Sequence, residues 1–280
     1  MARRDPALAG RRLIVNADDF GRSRSINEAV IRAHREGILT TASLMVNEPT
    51  CDEAVALARQ NPRLGVGLHL ALLCGRSALP PGKIPGLVNA VGEFTNDPVR
   101  AGMAYFFRRG LRAQIEAEIE EQFHRFHCTG LKLDHVNGHL HMHLHPVVFD
   151  IIVRRARKWK ITHLRLTCDP FWLNARLAGG SWLYRGSHAV IYRLLSARSR
   201  GALRRLGIRH TARVFGLLQN ARVDEPYLRG LLPVLPAGDS ELYSHPSLDE
   251  FKNEFEALLS PAVLQLVRER QIELIRYQDL

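Results

Sequence analysis

Residues 12–46, RLIVNADDFGRSRSINEAVIRAHREGILTTASLMV, decide the fold class. The apolar run 12–17 (RLIVNA) reads as a buried strand. Ser25-Ile26-Asn27-Glu28 has the spacing of a capping box, where a hydroxyl and a carboxylate satisfy the first backbone N–H groups of a helix. It opens a helix predicted to end near Gly37. The run 41–46 (TASLMV) reads as the next strand. Strand, helix, strand in this order implies two parallel strands joined by a crossover. The rhythm continues along the chain. Thr50-Cys51-Asp52-Glu53 is a second capping-box pattern opening a helix. Residues 65–72 read as a third strand, 113–127 as a long amphipathic helix and 131–137 as a fourth strand. Pro146 suits the first turn of a helix. Residues 163–167, 213–217 and 241–244 read as later strands, 248–259 and 261–270 as helices, and 272–276 as a last strand. The expected architecture is α/β: one domain, a distorted (β/α) barrel of seven or eight parallel strands. Two insertions break the rhythm, 74–110 and 169–210. The first is rich in Pro and Gly. The second sets Phe171, Trp172, Trp182, Tyr184 and Tyr192 among many arginines. Both are too long for simple connections and are expected to face substrate or membrane.

Composition narrows the function classes. The chain has 280 residues, 46% hydrophobic and 24% charged, which is ordinary for a soluble globular protein. No apolar run is long enough to cross a bilayer. The basic opening, Met1 to Arg12, lacks the apolar core of a signal peptide. Cys51, Cys74, Cys128 and Cys168 are scattered and form no CxxC, so they read as reduced thiols of a cytoplasmic protein. The net charge is +11, yet no nucleic-acid motif accompanies it. The arginines from Arg176 to Arg213 instead suggest a local basic surface suited to anionic lipid headgroups. Trp182-Leu183-Tyr184, Val190-Ile191-Tyr192 and Leu194-Leu195, interleaved with Arg185, Arg193, Arg198, Arg200, Arg204 and Arg205, fit an interfacial helix. The protein is thus expected in the cytoplasm, with peripheral contact at the inner face of the membrane.

The reactive residues gather at strand ends. The stretch 134–146 (DHVNGHLHMHLHP) holds five of the chain's thirteen histidines. Four alternate with apolar residues, so an extended segment would line up His139, His141, His143 and His145 on one face. Imidazole is the commonest metal ligand. In 16–21 (NADDFG), adjacent carboxylates follow an apolar strand, which is costly unless they are solvated, paired or metal-bound. In 65–70 (GVGLHL), His69 sits inside an apolar strand. A barrel brings the ends of strands one, three and four to one face, where Asp18 or Asp19, His69 and His139 could meet at one divalent ion. Two histidines and a carboxylate, completed by water, make a catalytic rather than structural site. Zinc suits the two imidazoles; magnesium is the alternative.

Taken together, 16–21 (NADDFG), 41–47 (TASLMVN), 67–70 (GLHL), 135–146 (HVNGHLHMHLHP) and Tyr243-Ser244-His245-Pro246 resemble the YdjC-type carbohydrate deacetylases. The combination is specific and spans nearly the whole chain. The resemblance implies a distorted (β/α) barrel that hydrolyses acetamido groups on N-acetylglucosamine-type sugars with a divalent ion. It implies Asp19, His69 and His139 as the metal ligands, Asp18 as the first carboxylate of the pair and the base, and His245 as the C-terminal catalytic histidine. Arg165, on the strand after the histidine cluster, is expected to hold Asp18 ionised. His141 and His143 are expected near substrate, with Leu140 and Met142 packed on the barrel wall. Residues 11–21, 79–85, Tyr105-Phe106-Phe107 and 213–217 (RVFGL) look more specifically like the HpnK-like branch, which implies an N-acetylglucosaminyl hopanoid as substrate. One position departs: many family members carry an acid where this chain has Asn137. Three other readings stand beside this one. They are a soluble chitooligosaccharide or diacetylchitobiose deacetylase, another metal-dependent barrel reaction such as phosphoester hydrolysis or sugar isomerisation, and a non-catalytic lipid carrier. A carrier needs none of Asp18, Asp19, His69, His139 and His245.

Overall fold

The computed structural model describes residues 10–177, 182–219 and 222–280. Residues 1–9 of the basic opening, and the side chains of Trp182 and Tyr184, lie outside the described residues. The chain runs β1 (Arg11–Phe20), α1 (Arg24–Glu36), β2 (Thr41–Leu44), α2 (Cys51–Arg59), β3 (Gly65–Leu70), α3 (Pro98–Phe107), α4 (Arg112–Cys128), β4 (Leu133–Gly138) and α5 (Pro146–Arg155). It continues with α6 (Phe171–Leu177), α7 (Trp182–Leu206), β5 (Arg213–Phe215), α8 (Glu225–Leu231), β6 (Gly238–Ser244), α9 (Lys252–Leu259), α10 (Pro261–Glu269) and β7 (Glu273–Ile275). No helix among the described residues is long and apolar enough to cross a membrane.

The sheet order is β4-β3-β2-β1-β6-β5, all parallel, with β7 beside the start of β1. The sheet curls. Its outer face carries Leu13, Val15, Ala42, Leu44, Val66, Leu68 and Val136, which meet the helices in the main apolar core. The inner face holds a small cluster of Ile14, Ile275 and Tyr277. Most of the inner residues nearer the strand ends are polar: Asn16, Asp18, Ser43, His135, Asn137 and Glu241, all buried. A polar interior is tolerable only when every group finds a partner. Local sequence makes room for it. A Cβ on Gly67 would lie 2.5 Å from the ring of His135, so glycine lets that ring cross the inside of the barrel.

The segment expected as a strand at 163–167 makes only single bridges, Val136 to Leu164 and His163 to Arg209. The Arg165 N–H donates to the Val136 C=O at 3.0 Å, and the Val214 N–H donates to the Cys168 C=O at 3.1 Å. These bonds join the two open edges of the curl, β4 and β5, through irregular chain. Among the described residues the distorted barrel thus has seven regular strands and one irregular seam.

Both capping-box readings are corrected. Ser23, not Ser25, caps α1, accepting from the Ile26 N–H at 3.3 Å. The Ser25 hydroxyl is taken instead by the Leu248 N–H at 2.9 Å. Thr50 makes no cap bond, because its hydroxyl donates to the Gly21 C=O at 2.7 Å. In both cases a partner distant in sequence outcompetes the local one. Ser23→Ala is expected to cost about 1 kcal/mol in a urea melt. A wild-type midpoint in Ser23→Ala would remove Ser23 as the cap.

Candidate active site

β1 stays extended past its apolar half and ends in a tight turn. Asp19 has φ +63°, a left-handed conformation that Asp tolerates better than most residues. Gly21 follows at φ +95°, with the Met45 C=O only 3.1 Å from where a Cβ would stand. The turn aims Asp19 across the top of the barrel. Its Oδ1 lies 2.9 Å from His139 Nδ1, just past β4, and 3.3 Å from His69 Nε2 on β3. All three residues are buried, and their donor atoms lie within 4.8 Å of one another. Arg22 donates to Asp19 Oδ2 at 2.9 Å.

The chemistry of this trio fits a divalent ion, and Asn137 decides it. Its Nδ2 donates to Asp18 Oδ1 at 3.0 Å and to Ser43 Oγ at 2.8 Å. Its Oδ1 therefore faces His69 Nδ1, at 2.7 Å, and accepts that proton. The Nε2 lone pair is left pointing at Asp19 and His139, as a metal ligand requires. Asn137 thus orients the imidazole as an acid would, without adding charge. Burial alone would raise the Asp19 carboxyl, but His139 beside it brings it well below the usual carboxylate range. His139 would be lowered by burial, yet the Asp19 carboxylate raises it to about 10.

Asp18 stands beside the trio on a different support. Arg165 grips it with two bonds, Nη1 to Oδ2 at 2.7 Å and Nη2 to Oδ1 at 3.0 Å. Asn16 donates to it at 2.8 Å, and with Asn137 the carboxylate accepts four side-chain bonds. Burial pushes the Asp18 carboxyl up, but Arg165, then His69, holds it far below its ordinary value. Arg165 is itself completely buried. Its Nε donates to Glu241 Oε1 at 2.8 Å, and its guanidinium lies 4.5 Å above the Tyr243 ring. The Tyr277 hydroxyl donates to the other Glu241 oxygen.

The YdjC-like protein family matches residues 12–269. This chain belongs to that family. A carbohydrate deacetylase of Brevibacillus brevis is 40% identical over 150 residues, covering 54% of this chain and 57% of that protein. The chain thus spans little more than half the length of that relative. One of Thermoanaerobacter pseudethanolicus is 27% identical over 280 residues, 96% of this chain and 98% of the relative. A solved structure from Enterococcus faecalis V583, described as a cellobiose-phosphate cleavage protein, shares the fold. Its TM-score is 0.74 at 22% identity, with 97% of this chain and 99% of the other covered.

In this YdjC-like chain the histidine stretch is not extended. Leu140 and His141 both take left-handed angles, φ +46° and +58°, within a tight turn, so alternation does not put the rings on one face. Each histidine finds a separate place. His141 lines the cavity, its Nε2 3.0 Å from the Tyr243 hydroxyl and its Nδ1 3.2 Å from Thr167 Oγ1. Burial, and then Arg165, keeps it neutral. His143 does not reach the cavity: it is fully buried, and its Nε2 proton goes to the Arg165 C=O at 3.0 Å. His145 caps α5, accepting from the Val147 N–H. Leu140, expected on the barrel wall, is 48% exposed at the cavity mouth, while Met142 is buried as expected.

The cavity has a volume of about 540 Å³. Asp18, Asp19, His69 and His139 form its floor, and His245 stands at its side just after β6. Sequence reading missed the partner of His245. Glu254 on α9 is wholly buried and accepts the His245 backbone N–H at 2.5 Å; its Oε2 lies 3.8 Å from the ring Nδ1. The available signal was an acid on the buried face of an amphipathic helix. The upper walls are largely apolar: Pro98 and Val99 of α3, Leu140, Tyr192 of α7, Leu217 and Phe251.

Proposed function

We propose that this protein removes the acetyl group from an N-acetylglucosamine-type sugar by metal-dependent amide hydrolysis. One observation carries the reading: the Asp19–His69–His139 trio, the Arg165-gripped Asp18 and His245 all open into one cavity. The name of the relatives, carbohydrate deacetylase, supports the sugar substrate. Asp19, His69 and His139 would hold one divalent ion, zinc or magnesium, whose chemistry is to polarise the acetyl carbonyl and acidify a water.

The chain's own groups do the rest. Asp18 orients the attacking water and takes its proton as the new C–O bond forms. Arg165 holds Asp18 ionised and so ready to take that proton, at some loss of basicity. His245 donates a proton to the departing nitrogen, since an amine leaves poorly until protonated. Glu254 holds His245 in place. His141 fixes the Tyr243 hydroxyl, and together they offer hydrogen bonds to the sugar. His143 acts through Arg165 and not on substrate.

The finer reading is the head group of an N-acetylglucosaminyl hopanoid. It is supported by the HpnK-like residues 79–85, 105–107 and 213–217, and by the apolar upper walls of the cavity. The two insertions then supply the lipid-facing segments of a cytoplasmic enzyme working at the inner face of the membrane. A soluble chitooligosaccharide is the competing substrate. Acetate release from a synthetic N-acetylglucosaminyl lipid, measured beside diacetylchitobiose, separates them. The lipid is expected to be preferred, and no acetate from either, with metal supplied, ends the deacetylase reading.

His245→Ala is expected to lower kcat by about 10²–10⁴-fold, with bound metal unchanged by elemental analysis. Unaltered kcat would remove His245 as the acid.

A further inference from the structure

Among the described residues, twelve large apolar side chains are exposed. Eleven of them lie in 74–110, in the histidine turn or in 169–210, and the exception is Val234. They are not scattered. On α3, Val99 (73% exposed), Met103, Phe106 and Phe107 (66%) fall at i, i+4, i+7 and i+8, which is one helix face. The opposite face buries Ala101 and Tyr105. On α7, Leu183 (88% exposed), Val190, Ile191 and Leu194 form a stripe at i, i+7, i+8 and i+11. Its opposite face buries Arg185, Ser196, Ser199 and Leu203. α7 also packs Tyr192, Leu195, Ala202 and Leu206 against the core, so it is apolar on both sides, and its outward stripe is apolar surface left uncovered. Packing within this chain does not account for that; an apolar partner outside does.

The two helices belong to one face. Both pack on α5. The Phe106 ring lies 6.4 Å from His145 at the start of α5, and the Tyr192 hydroxyl donates to the Leu140 C=O at 3.2 Å. The cavity opens between them, with Val99 on one side, Tyr192 on the other and exposed Leu140 between.

Charge selects the partner. Residues 170–223 contain ten arginines and no Asp or Glu, and residues 98–115 contain four arginines and no acid. A second copy placed symmetrically on this face would press arginine against arginine. A bilayer carrying anionic headgroups matches both features, with hydrocarbon for the stripes and phosphates for the guanidinium groups.

We infer that α3 and α7 together form a docking face for an anionic lipid surface, arranged around the mouth of the cavity. The sequence marked an interfacial helix only in 169–210; the structure adds α3, from the other insertion, as a second apolar anchor. Docking on both helices sets the mouth at the headgroup layer, so the polar head of a membrane-resident amphiphile enters while its body stays in lipid. The docking face is independent of which reaction the cavity runs.

Co-sedimentation of the full chain with phosphatidylcholine vesicles, with and without phosphatidylglycerol, tests it. Binding is expected only with phosphatidylglycerol and is expected to weaken as salt rises. The pairs Phe106→Ser/Phe107→Ser and Leu183→Ser/Leu194→Ser should each weaken it by about tenfold or more. Arg193→Glu/Arg198→Glu should do the same. None of these residues lines the cavity, so acetate release from soluble diacetylchitobiose should match wild type in all three, which also reports that they fold. Absence of binding to anionic vesicles at low salt overturns the inference. So does binding that neither serine pair weakens, or a solution dimer that the serine pairs dissolve. Vesicle binding by a chain that releases no acetate would leave the docking face standing and end the deacetylase reading.

Discussion

Arg165→Met is expected to destabilise the fold by about 3–5 kcal/mol, the cost of breaking a buried ion pair by removing one partner. Arg165 is completely buried and is the only cation that bonds both Asp18 and Glu241 among the described residues. Methionine fills similar space but leaves two carboxylates in the interior. In the wild type, the Asp18 carboxyl is held below its unfolded value. Its contribution is therefore present above pH ~4, the unfolded carboxylate value, and is lost as pH falls below it. In the variant the sign reverses. Without Arg165, burial raises the Asp18 carboxyl above its unfolded value, so stability should be lost as pH climbs from ~4 towards neutrality. Urea melts at acidic and neutral pH read this directly. Glu241→Gln in the Arg165→Met background should recover part of the loss by removing one charge. A single variant with a wild-type midpoint at neutral pH would show that Arg165 does not carry this load.

His69→Ala and Asp19→Asn should abolish stoichiometric metal and lower the rate of acetate release by about 10³-fold or more, several kcal/mol of transition-state stabilisation. Asp19→Asn is the cleaner probe. Asparagine also tolerates the left-handed backbone at this position, φ +63°, so the turn survives while the charge is lost. Asn137→Ala should act more gently, weakening metal binding by about 10–100-fold, because it only releases the His69 ring from its orientation. Full metal content in both His69→Ala and Asp19→Asn would dismiss this set of ligands.

The order of strands and helices was readable because buried parallel strands are short apolar runs and the helices between them are amphipathic. Asp18 or Asp19, His69 and His139 were readable as a group because a barrel gathers strand ends on one face, whereas His245 came from the family resemblance and Arg165 from its place on the strand after the histidine cluster. What escaped was set by contacts distant in sequence. Ser25 and Thr50 carry the local pattern of caps but spend their hydroxyls elsewhere. The histidine stretch alternates perfectly, yet two left-handed residues in a row cancel the period. α3 was hidden inside a segment read as loop, although Asp97-Pro98 is a fair helix start and the Asp97 side chain does cap it. Glu241 and Glu254 gave little sign, because a buried acid announces itself only once its partner is known.

The irregular seam between β4 and β5 has a consequence for how this protein can change. Where a regular barrel would have a ladder, this one has single bridges and the side chain of Arg165, which grips β1 through Asp18 and β6 through Glu241. The same guanidinium sets the charge state of Asp18 and helps to hold the ring shut. A substitution that made Asp18 a stronger base by loosening Arg165 would also unfasten the barrel. Activity and folding are therefore adjusted by one side chain rather than two, and a faster variant should first show itself as quicker amide exchange along 163–168.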